Sequence, residues 1–249
     1  LKKSKNIRVT WKIISMIKLM GEIKLFNLMR LEWKKLKRLS VISEVMIYWL
    51  ILMFMPVFFI KIVMPFMGES YAAAIELNSF IQMGLILLGG SLISQVFIEE
   101  YKNKTISLSF GYPISRKKLF TAKVLFIYIF VFLAAVGSYV FTGLTTYLLD
   151  LITPIINGQP TNTDIFAFFK SMIAGSLMIP LISFIPLFIF GILTRGTIPT
   201  VICSIVCMNL PNFSTFLHLN QDLILLVLCL LGALSIFLSI KTAESAGEL

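Results

Sequence analysis

Gln95 to Phe126 reads QVFIEEYKNKTISLSFGYPISRKKLFTAKVLF, a polar island with six Lys or Arg set between two long apolar runs. Its neighbours decide the fold. The 249-residue chain is 58% hydrophobic with a mean hydropathy of +0.93, more than a soluble domain buries, and its apolar residues come in blocks rather than on alternating faces. A bilayer core about 30 Å thick takes roughly 20 helical residues at 1.5 Å each. Six windows qualify, at about residues 45–65, 77–98, 124–149, 171–194, 196–217 and 223–240, and only the first holds a charge, Lys61. Pro199 and Pro211 leave the fifth with a regular stretch shorter than a full span. The expectation is an all-α integral membrane protein: a basic segment over residues 1–42, a six-helix transmembrane domain over 43–241, and a cytoplasmic tail over 242–249.

A net charge of +10 raises the question of nucleic acid, and the distribution answers it. Residues 1–42 hold twelve Lys or Arg, residues 99–123 hold six, and Arg195 and Lys241 stand at later segment ends. With the amino terminus inside and six crossings, twenty of the twenty-two basic residues fall in cytoplasmic stretches, the asymmetry that sets membrane orientation. A solvated RNA-binding tail does not explain why the later loops share the bias, so no nucleic-acid partner is expected. The expected location is the cell's plasma membrane, crossed several times. The apolar run after the basic region begins too late, and is too long, for a cleavable signal peptide. MGEIKLFNLMRLEW from Met20 reads as a natural beginning, so residues 1–19 read as an upstream extension without functional weight.

Residues 24–39 form an amphipathic pattern. On a helical wheel Leu25, Phe26, Leu28, Met29, Trp33, Leu36 and Leu39 share one side. Lys24, Asn27, Arg30, Lys34, Lys35, Lys37 and Arg38 share the other, with Leu31 and Glu32 as exceptions. This predicts an interfacial helix along the inner leaflet, Trp33 at headgroup depth and the cations toward anionic lipid. Lys61 lies near the outer end of the first span, where snorkelling is the default. GLILLGGS, from Gly84 to Ser91, offers small residues for close helix packing. Asp150 to Lys170, rich in Pro, Asn, Gly and Thr, predicts the longest external loop. Pro180 and Pro186 interrupt the fourth crossing, tolerated where neighbouring helices or water satisfy the freed carbonyls. LPNFSTFLHLNQD, from Leu210 to Asp222, reads as a segment dipping back into the membrane from outside.

Catalysis finds little support, and neither a catalytic group nor a metal site is expected. The single histidine, His218, rules out a two-histidine site, and no serine stands in a Gly-x-Ser-x-Gly elbow. Cys203, Cys207 and Cys229 sit inside apolar windows as small buried hydrophobes. EEYKNK falls short of the Glu-Glu-x-x-x-Arg of one membrane protease family, because Lys104 stands at the arginine. Gly84 and Gly89 have P-loop spacing, but Gly90 occupies the place of the phosphate-binding lysine. The spans hold no Asp or Glu away from their ends to relay an ion gradient. Energy for uphill movement must come from a separate subunit.

The island is where such a subunit would act. Glu99 to Ser109 is expected to form a short helix, the Gly-Tyr-Pro at Gly111 to Pro113 to break it, and Ser115 to cap the helix into the third span. A short helix rigidly joined to two spans transmits a push from a soluble motor. The island also resembles the loop between helices two and three of ABC-2 type permeases, which carry an acidic residue, then Thr, an apolar run, a Pro-x-Ser-Arg step and a downstream Lys. Matching positions here are Glu99 or Glu100, Thr105, Ile106 to Phe110, Pro113, Ser115, Arg116 and Lys123; Lys104 stands where family members frequently have Gly. The chain plan is similar over about residues 22–241.

The resemblance implies the ABC-2 permease fold, in which two permease subunits pair as a homo- or heterodimer, each receiving a separate ATP-binding subunit. It implies that ATP and Mg reside on that partner, with no cofactor bound by this chain. It makes Glu99, Glu100, Lys104, Thr105, Pro113, Ser115 and Arg116 the coupling region, and the helix bearing Phe26, Arg30, Trp33, Lys34 and Lys37 the connecting helix. It implies export of an amphipathic peptide, antibiotic or lipid-like substrate, as in lantibiotic and bacitracin resistance. The competing expectation is a non-transporting anchor or sensor that recruits a cytoplasmic partner or anionic lipid through its basic loop.

Overall fold

The computed structural model describes residues 25–63, 70–102, 116–156, 158–213 and 220–245, and the regular structure among them is helical throughout. Nine α-helices follow in order: α1 Leu25–Lys35, α2 Arg38–Phe58, α3 Tyr71–Gln82, α4 Leu85–Ile93, α5 Glu99–Lys102, α6 Arg116–Ile152, α7 Asn162–Ser183, α8 Thr197–Phe213 and α9 Gln221–Ser245. Three π-helical stretches, Phe59–Val63, Ser94–Ile98 and Leu187–Leu193, extend α2, α4 and α7. Among the described residues five helical segments are long and apolar enough to cross a membrane: Arg38–Val63, Tyr71–Lys102, Arg116–Ile152, Asn162–Leu193 and Gln221–Ala243. The fifth predicted span is the shorter apolar helix α8, with Pro199 in its first turn and Pro211 near its end. Of the predicted re-entrant segment, Leu210 to Phe213 end α8 and Gln221 and Asp222 begin α9, while residues 214–219 lie outside the described residues.

The helices overrun their apolar windows. α6 begins at Arg116 and ends at Ile152, and α7 starts at Asn162 behind a Thr161–Asp164 capping box, so the loop expected over 150–170 shrinks to residues 153–161. The apolar length sets what must lie in lipid; the hydrogen-bonded ladder continues outward until a cap or turn stops it. Asp150 holds that turn in place, its Oδ1 accepting from the Ile155 and Ile156 N–H groups at 2.8 Å each, while its other oxygen accepts from the Tyr71 hydroxyl.

α6 is the pillar of the bundle, packing against α1, α2, α3, α4, α7 and α9. Leu85, Ile86, Leu88, Leu92 and Ile93 of α4 meet Ile127, Val131 and Ala135 of α6 and Ile179 and Ile182 of α7 in one core. The outer helices α2 and α9 leave Leu50, Phe54, Leu230 and Phe237 exposed, as lipid-facing side chains are. Gly89 and Gly90 are expected to permit close packing, and they do: a Cβ on Gly89 would overlap the Ser183 side chain and one on Gly90 the Ser204 hydroxyl.

Two spans break in mid-course. After Gln82 the chain tightens into i−3 bonds, Met83 N–H to Phe80 and Gly84 N–H to Ile81, before α4 resumes. In the other, α7 passes through Pro180 and ends at Ser183, and the π-helical stretch begins after Pro186. Ser235 of α9 repairs this break: its Oγ accepts from the Phe188 N–H at 3.1 Å and donates to the Ile185 carbonyl at 3.2 Å. A side chain of the neighbouring helix α9 thus serves two backbone groups beside Pro186. Ser235→Ala removes both bonds, with an expected loss of about 1 kcal/mol, checked by thermal unfolding in detergent.

Candidate functional site

α5 has only four residues, Glu99–Lys102, yet three of them reach three different helices. Its position follows from continuity: α4, the Ser94–Ile98 stretch and α5 form one segment, so α5 is the protruding end of the second span. Glu100 is half-buried and Glu99 exposed, so of the two acidic positions it is Glu100 that turns toward the bundle.

Glu100 belongs to a closed ring of four charges. The Lys123 ammonium of α6 lies 2.6 Å from Glu100 Oε2 and 3.4 Å from Glu32 Oε2 of α1. The Lys35 ammonium lies 3.1 Å from Glu32 Oε1 and 3.3 Å from Glu100 Oε1. Among the described residues each carboxylate thus meets two ammoniums and each ammonium two carboxylates, and these four charges sum to zero. It is also largely dry, the side chains of Lys123 and Glu32 being 4% and 3% exposed. Lys123 further donates to the Val96 carbonyl at 3.0 Å and sits over the Phe97 ring, 5.5 Å from its centroid. Ion pairs this enclosed are held in one geometry rather than fluctuating, and loss of one partner strands a buried charge. Burial alone would lower the Lys35 ammonium from 10.5, but Glu32 and Glu100 outweigh it and raise the value. A raised lysine contributes fully below its unfolded value and loses that contribution only as pH climbs through the folded one. The Lys35 ammonium therefore keeps its charge across the neutral range.

The next two residues of α5 bind the opposite flank. Arg195 lies over the Tyr101 ring, 4.4 Å from its centroid, and the Lys102 ammonium donates to Thr197 Oγ1 at 3.3 Å. Arg195 stands in the turn between the Leu187–Leu193 stretch and α8, in the left-handed region at φ 51°. A left-handed non-glycine residue is uncommon and is held by its surroundings; here the turn aims the guanidinium at Tyr101. Directly before α5, the two π-helical stretches Ser94–Ile98 and Leu187–Leu193 pack on each other. Gln95 donates to Glu44 of α2 at 3.1 Å, adding the first span to the same end of the bundle. The arrangement mechanically joins α1 and α5 to the ends of the spans around them.

The predicted site is partly in view. Glu99, Glu100 and Arg116 are described, whereas Lys104, Thr105, Pro113 and Ser115 lie outside the described residues. So does the predicted helix beyond Lys102. The predicted helix over 24–39 ends at Lys35, and Arg38 begins the first span; Lys37 between them has a non-helical ψ of 82°. α1 turns Leu28, Met29, Glu32, Trp33 and Leu36 inward and packs on α6, with the Trp33 ring 6.2 Å from that of Phe126 and 5.7 Å from that of Phe130. Phe26 is 71% exposed, beside exposed Arg30, Lys34 and Lys37.

Glu32 and Lys35 were not among the expected site residues, nor were Tyr101 and Arg195. Glu32 carried a signal, as a lone carboxylate on the apolar side of an amphipathic helix; the others carried none that separates them from ordinary surface residues.

Comparison with known proteins bears on what such an arrangement serves. A family model described as ABC-2 family transporter protein matches residues 28–212. The chain is 33% identical over 165 residues to YcbO, an uncharacterized protein of Bacillus subtilis, across 59% of this chain and 68% of that protein. It is 30% identical over 153 residues to an uncharacterized protein of Mycoplasma pneumoniae, across 53% of this chain but only 20% of that relative, so it spans about a fifth of that protein's length. No solved structure matches the chain.

Proposed function

The chain belongs to the ABC-2 family of transporter proteins, and from that premise we propose that it is the permease subunit of an ATP-driven exporter, moved by a soluble ATPase that grips the segment after its second span. Family membership implies an ATP-binding partner in general; the docking place, the outward direction and the cargo are the proposal. Support for the docking place comes from α5, whose Glu100, Tyr101 and Lys102 reach α1, α6 and the approach to α8 within a single helical turn. A push on the segment that follows α5 moves these elements together, because the ring cannot open without stranding a buried charge.

In this reading the basic end is cytoplasmic, as the charge bias requires. α1, with Phe26 outward beside Arg30, Lys34 and Lys37, contacts anionic lipid while its inner face rides on α6. A second permease subunit completes the pathway, and ATP and Mg stay on the partner. An amphipathic cargo, such as a peptide antibiotic or a lipid-like molecule, fits a pathway with few fixed charges. Residues 43–241 form the transmembrane domain, with the coupling loop at 99–123.

Affinity purification from membranes in mild detergent should bring an ATP-binding subunit with the chain. In the reconstituted pair, Glu100→Gln is expected to lower transport-coupled ATP hydrolysis about tenfold, the equivalent of about 1.4 kcal/mol, while Glu99→Gln leaves it nearly unchanged. Equal effects of the two variants would remove α5 as the coupling element. Recovery of a cytoplasmic regulator without any ATPase would instead favour the anchor or sensor role.

A further inference from the structure

The end of the bundle away from α5 contains a second polar assembly that coupling does not use. Gln82, the last residue of α3, is fully buried, and its Nε2 donates to Asn78 Oδ1 at 3.2 Å and to Thr142 Oγ1 of α6 at 3.0 Å. The Thr142 hydroxyl in turn donates to the Ser138 carbonyl at 2.6 Å. Gln82 Oε1 has no protein partner, and neither do the buried hydroxyls of Ser138 and of Ser176 on α7. Ser79 and Ser171 bond to each other between α3 and α7, and the Tyr139 hydroxyl lies against this pair and against Gly175. The positions repeat at one helical turn, 78 and 82, 138 and 142, 171 and 175, so they line one seam between the second, third and fourth spans.

We infer that this seam holds ordered water, with one molecule donating to Gln82 Oε1 and others serving the Ser138 and Ser176 hydroxyls. Turning the Gln82 amide over does not remove the need. Oε1 would then face Asn78, and the amide hydrogens would take the unmet position, so one edge of the amide lacks a protein partner either way. An unmet acceptor deep among apolar helices is costly, whereas water in a site with two or more polar partners is a normal component of a protein interior. The ligand is water rather than a cation because the seam mixes donors with acceptors and contains no carboxylate. Its location has a mechanical consequence. The second span breaks directly after Gln82, at Met83 and Gly84, and water-mediated bonds across the seam exchange partners as helices slide where direct bonds would have to break.

The test is hydroxyl-radical footprinting of the full chain in lipid nanodiscs, read by mass spectrometry at Tyr139. Tyr139 is 1% exposed, yet radicals formed from seam water should modify it within about threefold of half-exposed Tyr147. Phe184, 0% exposed in the apolar core, serves as the dry control after correction for intrinsic reactivity. Gln82→Leu and, separately, Thr142→Val should each lower Tyr139 modification severalfold, with Thr142→Val as the milder change should the first impair folding. Tyr139 modified no faster than Phe184, or modification unchanged in both variants, overturns the inference. A melting temperature that depends on which alkali cation is present would assign the seam to an ion and overturn it equally. None of these readouts requires an ATPase partner, so the result stands apart from the coupling assignment.

Discussion

Lys123→Met is expected to lower stability by about 3–5 kcal/mol, the range for breaking an enclosed ion pair by removing one member. The variant keeps the length and apolar body of the side chain and deletes only the ammonium. Glu32, 3% exposed, then keeps Lys35, whose side chain is 45% exposed and so offers it less than Lys123 did. The Val96 carbonyl loses its donor as well. The triple variant Glu32→Gln, Glu100→Gln, Lys123→Met removes the stranded charges together and should recover most of the loss, because dry ion pairs replaced as a set are often nearly neutral in stability. The two variants separate holding the fold from transmitting force: the triple variant should insert and melt nearly as the parent does, yet couple poorly to a motor. Unfolding in mixed micelles measures the first property, and coupled ATP hydrolysis in proteoliposomes the second. Wild-type stability in Lys123→Met would mean that the ring is not formed.

Gly232→Val should be the most damaging single change in the apolar part of the bundle. A Cβ at Gly232 of α9 would overlap the Leu181 carbonyl oxygen and stand 2.7 Å from its carbon. That obstacle is backbone, so no side-chain rotation relieves it and α9 must withdraw from α7. One turn further along α9 is Ser235, which then leaves the Phe188 N–H and the Ile185 carbonyl. Overpacking at about 1–3 kcal/mol and the loss of two hydrogen bonds at about 0.5–1.5 kcal/mol each act together; because the two effects overlap, the expected total is about 2–4 kcal/mol. Gly191→Ala is the control: its Cβ would meet only the Leu187 and Ile93 side chains, at 3.3 and 3.5 Å, which can shift. Size-exclusion after a heating series distinguishes the pair, and equal losses would contradict the α7–α9 packing described.

Much of this was legible because lipid imposes a coarse rule. Apolar stretches of sufficient length must be helical there, and charges gather at their ends, so composition and spacing marked the spans and their basic side. The small residues of GLILLGGS foretold close packing, and Pro180 and Pro186 foretold a broken fourth span. The motif from Glu99 to Lys123 pointed to the family. Boundaries were less legible, because hydropathy reports where lipid begins and not where the helical ladder stops: α6 runs past its window at both ends, and the amphipathic helix halts at Lys35 although the wheel pattern continues.

The sequence by itself determined that this is a helical membrane protein with a basic polar segment after its second span, since both features depend on local composition and neither on a distant residue. Only the tertiary structure decided that Glu100 and not Glu99 turns inward, that Glu32 on the apolar face of α1 is enclosed rather than misplaced, and that Ser235 mends the break after Pro186. Each of these is a meeting of groups far apart along the chain, 65 residues between Lys35 and Glu100 and 47 between Phe188 and Ser235. A buried charge or an unmet carbonyl requires some partner, but which residue answers depends on how the helices cross, and that is fixed by packing alone.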